Sequence, residues 1–394
     1  MTAFSPTRWN VSGMAFLAFC SATCSGPPPW GGHVEVAEGV EVVSNPREPL
    51  LGESEGMVVE LWTVQGAEWV NPSAVHAAGG LVTVVDPPAN QVHLVSGSGE
   101  VLPSLGRTGG GPGEFLHLVD AFQDGHRITA LDAGRGTVEY FGMDGVYHSS
   151  VKLEGQVWSG FPFGESGLMV KGEFLSDPSR ETLGDWFRVE EDGKLTAFAP
   201  PALAPLPEEQ GVQCFDLSAW GDGTARMRYT TPQIQVFNSS GALIQQVFID
   251  LPVEEVTGAE RKAALSGLEH SLVDRGMPPP FIEQNLIVME ERWRVKCRFG
   301  PLRFDPSRRL AAFLEQNPED FGSGNATLHF LSRDGVYLAK GTFTTPWKDF
   351  TMEDGVVYAL TQDPTTGLST LAAFRLDLPA SVLDDATKVL RAAR

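Results

Sequence analysis

Glycines recur at a nearly constant spacing along this chain, each in the turn of a predicted β-hairpin. In every copy an apolar strand runs into a polar-Gly pair and then into a second strand, at Gly99, Gly145, Gly193, Gly241 and Gly335. The first three intervals are 46, 48 and 48 residues (145−99, 193−145 and 241−193). The last is 94 residues (335−241), and a helical-looking insertion at about 253–292 accounts for most of the excess. Such regular spacing indicates one structural unit repeated along the chain.

Each repeat contains about four short predicted strands separated by turn residues. A sixth unit begins at Trp347 and supplies only three strands before a short predicted helix. The segment GMVVELWTV, before the first repeat, has no partner of its own. Closing a ring with strands from both ends of the chain removes open sheet edges. The sequence therefore predicts an all-β six-bladed β-propeller whose N-terminal strand closes the last blade, with one helical insertion and a short C-terminal helix.

The first residues are typical of an export signal. Arg8 precedes the apolar run VSGMAFLAF, which is too short to span a bilayer, and small residues follow in CSATCSG. Two processing sites remain open: cleavage after Ala22, or lipidation of Cys24 as in a bacterial lipoprotein, although Ser21 and Thr23 differ from the usual lipobox residues. We expect an exported protein, periplasmic or at the cell surface, that contacts a membrane only through such a lipid anchor.

These patterns divide the chain into four parts. We predict a signal peptide at 1–24, an arm at 25–56, the propeller at 57–378 with its helical insertion at about 253–292 between blades 4 and 5, and a C-terminal helix or tail at 379–394.

Net charge and one glycine-rich stretch exclude phosphate-binding functions. The formal net charge is −21 and the pI is near 4.7, whereas nucleic-acid binding depends on a basic surface. The stretch GRTGGGPGEF ends at Phe115; Pro112 removes an N–H donor, no lysine follows, and the next residues are predicted strands. We interpret the stretch as a connector between blades in which Glu114 and Phe115 anchor the chain.

A family resemblance follows from the same region. The segment LVTVVDPPANQVHLVSGSGEVLPSLGRTGGGPGEF resembles the NHL-type repeat of six-bladed propellers, with Asp86 and Asp132 at the characteristic acidic position thirteen residues before the turn glycine (99−13 and 145−13). The leader GVEVVSNPREPLLG is also similar to that of exported bacterial propellers of unestablished function. The resemblance implies the fold and leaves the activity open. We interpret both aspartates as turn caps.

Metal-binding signals are sparse. The eight histidines show no HxH or HExxH spacing, and His93 and His329, six residues before their turn glycines, are expected to face solvent. Asp120 and Asp216 both lie twenty-five residues before a turn glycine (145−25 and 241−25), on strands expected to line the central channel. Family relatives with channel metals use acidic or His residues there, so a Ca or Zn site is the alternative to ordinary hydrogen bonding. We otherwise predict no cofactor.

A basic cluster is the candidate ligand-binding site. Cationic and apolar residues alternate from Arg292 to Phe299, as expected for a strand with one charged face, and two arginines alternate likewise in blade 4. The candidate residues are Arg226, Arg228, Arg294, Lys296 and Arg298. The alternative is that they pair with some of the 50 acidic residues.

The elaborated loops predict where a partner binds. The insertion, the loop EFLSDPSRETLG and the loop EQNPEDFGSGNA should share one face of a propeller, with the helix of the insertion as a lid. We predict a binding module for a protein, peptide or glycan. The alternative is a metal-assisted hydrolase or lyase working in the channel, which the lack of a matched ligand set disfavours.

Two cysteines remain outside the signal region, Cys214 and Cys297, both in segments expected to be innermost strands of adjacent blades. Export favours a disulfide between them, which requires Cα atoms within about 7 Å. The alternative is two buried free thiols.

Overall fold

Six β-sheets stand around a central channel and form the predicted six-bladed β-propeller. The computed structural model describes residues 30–52, 58–66, 68–153, 155–163, 167–174, 185–190, 193–198, 215–274, 276–292, 298–316, 325–363 and 366–393. The innermost strand of each sheet contacts its counterparts on both sides, and the last contacts the first, so the ring is closed.

The strands follow the repeat. The arm and closing segment contain β1 (His33–Ala37), β2 (Val40–Asn45) and β3 (Val58–Val64). From the axis outward, blade 1 contains β4 (Ala74–Ala78), β5 (Leu81–Asp86), β6 (Gln91–Ser96) and β7 (Val101–Leu105), with a 3₁₀ turn at Pro87–Ala89. Blade 2 contains β8 (Leu118–Gln123), β9 (Arg127–Asp132), β10 (Thr137–Gly142) and β11 (Tyr147–Lys152). Blade 3 contains β12 (Gly155–Phe163), β13 (Gly167–Phe174), β14 (Asp185–Val189) and β15 (Leu195–Phe198).

The second half of the ring is less regular. Blade 4 contains β16 (Phe215–Trp220), β17 (Gly223–Arg228), β18 (Gln233–Phe237) and β19 (Leu243–Ile249). Blade 5 contains β20 (Phe299–Asp305), β21 (Leu310–Gln316), β22 (Ala326–Ser332) and β23 (Tyr337–Phe343). Blade 6 contains β24 (Trp347–Glu353), β25 (Val356–Gln362) and β26 (Ser369–Leu376).

The N-terminal strand closes blade 6, as predicted. Strand β3 pairs antiparallel with β26 and forms the outer edge of that sheet. Trp62 of β3 packs against Tyr358 with ring centroids 5.9 Å apart, and its Nε1 donates to the carbonyl of Gly97 in blade 1 (3.0 Å). The closing strand therefore also joins blade 6 to blade 1.

The arm before β3 is part of the ring, which the sequence did not indicate. Strands β1 and β2 form a hairpin, and β2 pairs parallel with β19, so that blade 4 becomes a six-stranded sheet. Asn45 then links blades 4 and 5. Its amide nitrogen donates to Gly335 O (2.8 Å), and its oxygen accepts from Tyr337 N (2.8 Å). The chain continues along blade 5, where Leu50 N donates to Tyr337 O (3.0 Å).

Helices occur at the two predicted places. The insertion forms α1 (Gly258–Asp274) and α2 (Pro279–Arg292), which pack against each other. Thr257 and Glu260 make a capping box at the start of α1, with Glu260 Oε2 accepting from Thr257 N (2.7 Å). The C-terminal helix α3 (Ala380–Ala393) lies against β1. Among the described residues, no helix is both long and apolar enough to cross a bilayer.

The third strands of four blades carry a buried polar residue at one repeat position. These residues are His93, Glu139, Gln235 and His329, with exposed fractions of 1%, 0%, 4% and 1%. The expectation that the two histidines face solvent is therefore wrong. Neighbouring blades stack face to face and cover both faces of these third strands. Alternation along the strand therefore does not separate buried from exposed residues there.

Each histidine is held between an acid and a hydroxyl. His93 Nε2 lies 3.3 Å from Asp86 Oδ2, and its Nδ1 lies 2.8 Å from Ser104 Oγ. His329 Nε2 lies 2.6 Å from Glu315 Oε2, and its Nδ1 lies 2.8 Å from Tyr337 OH. Burial lowers the pKa of both histidines more than the neighbouring carboxylates raise it. Both imidazoles are therefore neutral at neutral pH and act as structural links across their blades.

The glycine-rich stretch is a connector, as interpreted. The Glu114 carboxylate accepts from Gly111 N (2.7 Å) and Arg107 Nε (2.8 Å). The Phe115 ring is fully buried, and a Cβ on Gly106 would approach it to 2.1 Å, so only glycine fits there. Asp132 is the predicted turn cap, since it accepts from Gly134 N (2.9 Å) and Arg135 N (3.2 Å), whereas Asp86 makes no cap bond at its turn and accepts from Val70 N (2.6 Å) instead. Asp132 also accepts from the backbone nitrogen of Leu116 (2.9 Å). These contacts fix how the chain enters blade 2.

Candidate functional site

The central channel contains one cavity of about 440 Å³, lined by residues of all six blades. Its walls are the innermost strands, along most of their length in blades 1 and 2 and at their C-terminal ends and following turns in blades 5 and 6. Ligand sites for small molecules typically measure about 300–1,000 Å³. Because each blade presents the same strand to the axis, side chains from distant parts of the sequence meet there.

Asp120 of β8 joins three blades at one wall of the cavity. Its Oδ1 lies 3.2 Å from His76 Nε2 of blade 1, and its Oδ2 accepts from Gly160 N of blade 3 (3.1 Å). Oδ1 also accepts from Ala121 N (2.9 Å). The sequence correctly places Asp120 on a channel strand. Its carboxylate binds the backbone of the neighbouring strand, as in the ordinary hydrogen bonding to which a metal site was the alternative.

Asp349 of β24 makes the matching link on the other side. Its Oδ2 accepts from Val75 N of blade 1 (3.0 Å), and its Oδ1 lies 2.8 Å from Arg303 Nη2 of blade 5. Arg303 also donates from Nε to Phe350 O (2.9 Å). Asp120 and Asp349 both follow a bulge in their strands, between Leu118 and Asp120 and between Trp347 and Asp349. A bulge re-aims the next side chain, and here it turns both carboxylates toward adjacent blades.

Carboxylates also gather at the ends of two innermost strands. Asp305, Glu353 and Asp354 line the cavity from blades 5 and 6. Glu353 accepts from Gly80 N (3.2 Å), while burial raises the pKa of its carboxyl. Asp305 accepts from Gly355 N (2.7 Å). The guanidinium of Arg303 is already paired, so this end of the cavity attracts neutral hydrogen-bond donors and cations.

Blade 3 provides an aromatic wall, which we define as Trp158, Phe161 and Trp186. Phe161 packs on Trp186 with ring centroids 5.1 Å apart, and both are nearly buried. Trp158 remains 37% exposed. In a ring of six blades, blade 3 stands opposite blade 6, so the aromatic wall faces Glu353 across the channel. The repeat pattern did not lead to a prediction of this wall. Trp158 and Phe161 nevertheless belong to the first strand of blade 3, and that position alone places them at the channel.

The predicted basic cluster lies elsewhere. Arg226 and Arg228 occupy β17, and Arg228 is buried. Arg298 precedes β20 and pairs with Glu254 and Glu315. The backbones next to Arg228 and Arg298 are joined by a hydrogen bond from Phe299 N to Tyr229 O (3.0 Å), so the two segments do meet.

The segment that contains Arg294 and Lys296 differs from the predicted strand at its start, and these two residues are not among those that the structure describes. Helix α2 extends to Arg292, and β20 begins at Phe299, so the alternating segment does not begin as a strand. Arg294, Lys296, Cys24, Cys214 and Cys297 lie outside the described residues, as does the side chain of Asp216. The disulfide, the lipidation and the complete cationic site therefore stay predictions.

Within the described part of the chain, no three His, Cys, Asp or Glu side chains are placed to hold a metal ion together. The insertion joins the end of β19 to the start of β20, at the N-terminal ends of the innermost strands, whereas blades 5 and 6 line the cavity with the C-terminal ends of those strands. The carboxylates that blades 5 and 6 contribute to the cavity thus lie at the opposite end of their strands from the loops that we expected to bind a partner.

Fold and cavity together define the class: a six-bladed β-propeller with a polar and aromatic channel site. The sequence matches no protein-family profile and no curated protein. A Bacteroides fragilis protein described as a candidate exported protein is similar in structure, with a TM-score of 0.51 and 11% identity over 85% of this chain and 99% of that one. A DUF4221 family member from Bacteroides vulgatus has a TM-score of 0.51 and 10% identity over 81% of this chain and 97% of that one. Identities this low show the shared fold alone.

Proposed function

We propose that this protein is an exported binding module whose ligand site is the central cavity. The observation that carries the proposal is the pairing of an exposed Trp158 with carboxylates across one channel of about 440 Å³. Export is supported by the apolar, small-residue N-terminus and by the similarity in fold to a candidate exported protein of Bacteroides fragilis.

The cavity favours a ligand with one flat apolar face and several hydrogen-bond donors. Trp158 offers a surface for stacking, and Glu353 and Asp354 offer acceptors. Among the partners predicted from the sequence, a short glycan fits this combination best, since a sugar ring has an apolar face and donates hydroxyls. A protein or peptide ligand would have to insert a side chain into the channel instead.

Titration of purified protein with a panel of oligosaccharides, monitored by tryptophan fluorescence and calorimetry, tests the proposal. For the glycan that binds, Trp158→Ala should weaken affinity about tenfold, because aromatic contacts contribute about 0.5–1.5 kcal/mol beyond buried area. The matched control is Leu116→Ala, an exposed apolar residue outside the cavity. Equal affinities of wild type and Trp158→Ala would contradict a cavity site. Binding only of basic peptides would replace the glycan with a peptide ligand.

Metal analysis of the same preparation addresses the alternative activity. Stoichiometric, tightly held Ca or Zn would favour the metal-assisted hydrolase or lyase over a binding module.

A further inference from the structure

The helical insertion presents an apolar tip, which we define as Val273, Met277, Pro278–Pro280 and Phe281. Val273, Met277 and Phe281 are 57%, 38% and 45% exposed, and the three prolines are exposed as well. Asp274 and Arg275 are the only charged residues from Val273 to Phe281. A concentrated apolar surface of this kind marks a place where a protein or a membrane binds.

The packing of the hairpin leaves much of these side chains uncovered. Leu272 is the buried residue at the end of α1, and α1 contacts α2. The tip lies at the end of the hairpin remote from where the chain leaves and re-enters the ring, because α1 runs outward from β19 and α2 returns to β20.

The arm brings the start of the described chain to the root of this hairpin. His33, the first residue of β1, pairs with Ser44, and Ser44 pairs with Phe248 near the end of β19. Asp250 N donates to Asn45 O (3.2 Å) at the same place. The chain before β1 and the helical insertion therefore leave the propeller side by side, at the same end of blade 4.

The reach of the two segments is comparable. Cys24 lies nine residues before His33 (33−24), and nine extended residues span at most about 30 Å. Helix α1 has 17 residues, and at 1.5 Å per residue it is about 25 Å long. A lipid on Cys24 would hold a bilayer no farther from the root of the hairpin than about the length of the hairpin itself.

We propose that the apolar tip is a membrane-binding surface that inserts into the interfacial region of a lipid bilayer beside the Cys24 anchor. The tip binds the bilayer by burial of its apolar side chains rather than by charge attraction, because the net charge of −21 opposes attraction to anionic lipid. The two attachments at one end of blade 4 orient the propeller on the membrane. The surface is separate from the cavity, so it does not depend on the proposed ligand.

Flotation of residues 25–394, produced without lipid, with vesicles of phosphatidylcholine tests the tip alone. The double variant Met277→Ser/Phe281→Ser should partition about tenfold less, because it removes most of the large apolar surface available for burial in the bilayer. The matched control is Leu116→Ser/Val146→Ser, whose parent side chains are 51% and 56% exposed in the connector before blade 2 and in a hairpin turn of blade 2. Binding by wild type should not increase when phosphatidylglycerol is added.

Equal partitioning of the tip variant and wild type, or no binding of wild type at millimolar lipid, would overturn the proposal. Stronger binding to anionic vesicles would assign the interaction to charge instead. A tip variant that converts an oligomer to a monomer in sedimentation would show that a second copy covers the tip. Oligosaccharide titration of the tip variant keeps the two proposals apart, since ligand binding in the cavity should be unchanged.

Discussion

Blades 1 and 4 differ in where their strands come from. Blade 1 is built from consecutive strands, β4 to β7, joined by short turns. Blade 4 contains its own four strands plus β1 and β2, which precede their neighbour β19 by about two hundred residues. Blade 6 is intermediate, with three strands of its own and β3 from the N-terminal side. Strand β3 completes a blade that has only three strands of its own, whereas β1 and β2 extend a blade that already has four. We expect the two kinds of strand to contribute differently to the free energy of unfolding.

The largest difference should come from two truncations. A chain of residues 65–394 lacks β1, β2 and β3, and the loss of β3 exposes the edge of β26 and the core that Leu371 and Ala373 share with blade 1. We expect this chain to lose cooperative unfolding or to aggregate. A chain of residues 47–394 lacks only β1 and β2 and should remain a folded monomer with a lower Tm. Circular dichroism melts and size-exclusion chromatography measure both.

Point variants on β3 test its contribution to stability without truncation of the chain. Trp62→Ala removes the packing on Tyr358 and the hydrogen bond to blade 1, and it should cost about 2–4 kcal/mol of unfolding free energy. Leu61→Ala on the same strand is the control, because Leu61 is 43% exposed. Similar denaturation midpoints for the two variants would show that closure does not depend on the join between blades 6 and 1.

The same contrast explains what the sequence could predict. The position of β3 is predictable from the sequence, because the sixth repeat has only three strands of its own and one unpaired strand precedes the first repeat. The segments of β1 and β2 also alternate, but blade 4 was already complete, and no local pattern shows that a parallel partner binds its outer edge. Likewise Asp120 could be placed on the channel from its repeat position, while its contacts with His76 and Gly160 depend on how adjacent blades stack.

Asn45 tests whether the arm stabilises the ring or only lies on it. Asn45→Ala leaves the backbone groups of Gly335 and Tyr337 without partners in a buried site, and an unpaired buried polar group costs about 1–3 kcal/mol. Glu35→Ala, an exposed residue of β1, is the control. Urea denaturation of both proteins measures the difference. A loss of stability in Asn45→Ala no larger than in the control would mean that blades 4 and 5 hold together without the arm.

The smallest expected effect is a pH dependence of the unfolding free energy. It distinguishes titratable side chains that are buried within a blade from titratable side chains that are exposed. Burial lowers the folded pKa of His329 below its usual 6.5. The unfolded chain therefore binds a proton at a higher pH than the folded one. The stabilisation is present above about pH 6.5 and is lost as pH falls toward the lowered pKa, by at most about 1.4 kcal/mol per pH unit. Burial also raises the pKa of the Glu139 and Glu353 carboxyls, which gives the opposite dependence above about pH 4.5.

Because these groups oppose one another, the informative quantity is a difference between proteins rather than the pH profile of one. His329→Gln removes the titrating imidazole, so its unfolding free energy should fall less than that of wild type between about pH 7 and pH 5, even if the variant is less stable throughout. His126→Gln, at an exposed histidine in a turn of blade 2, is the control substitution. Parallel slopes for wild type and His329→Gln would mean that His329 takes up its proton in the folded blade as readily as in the unfolded chain.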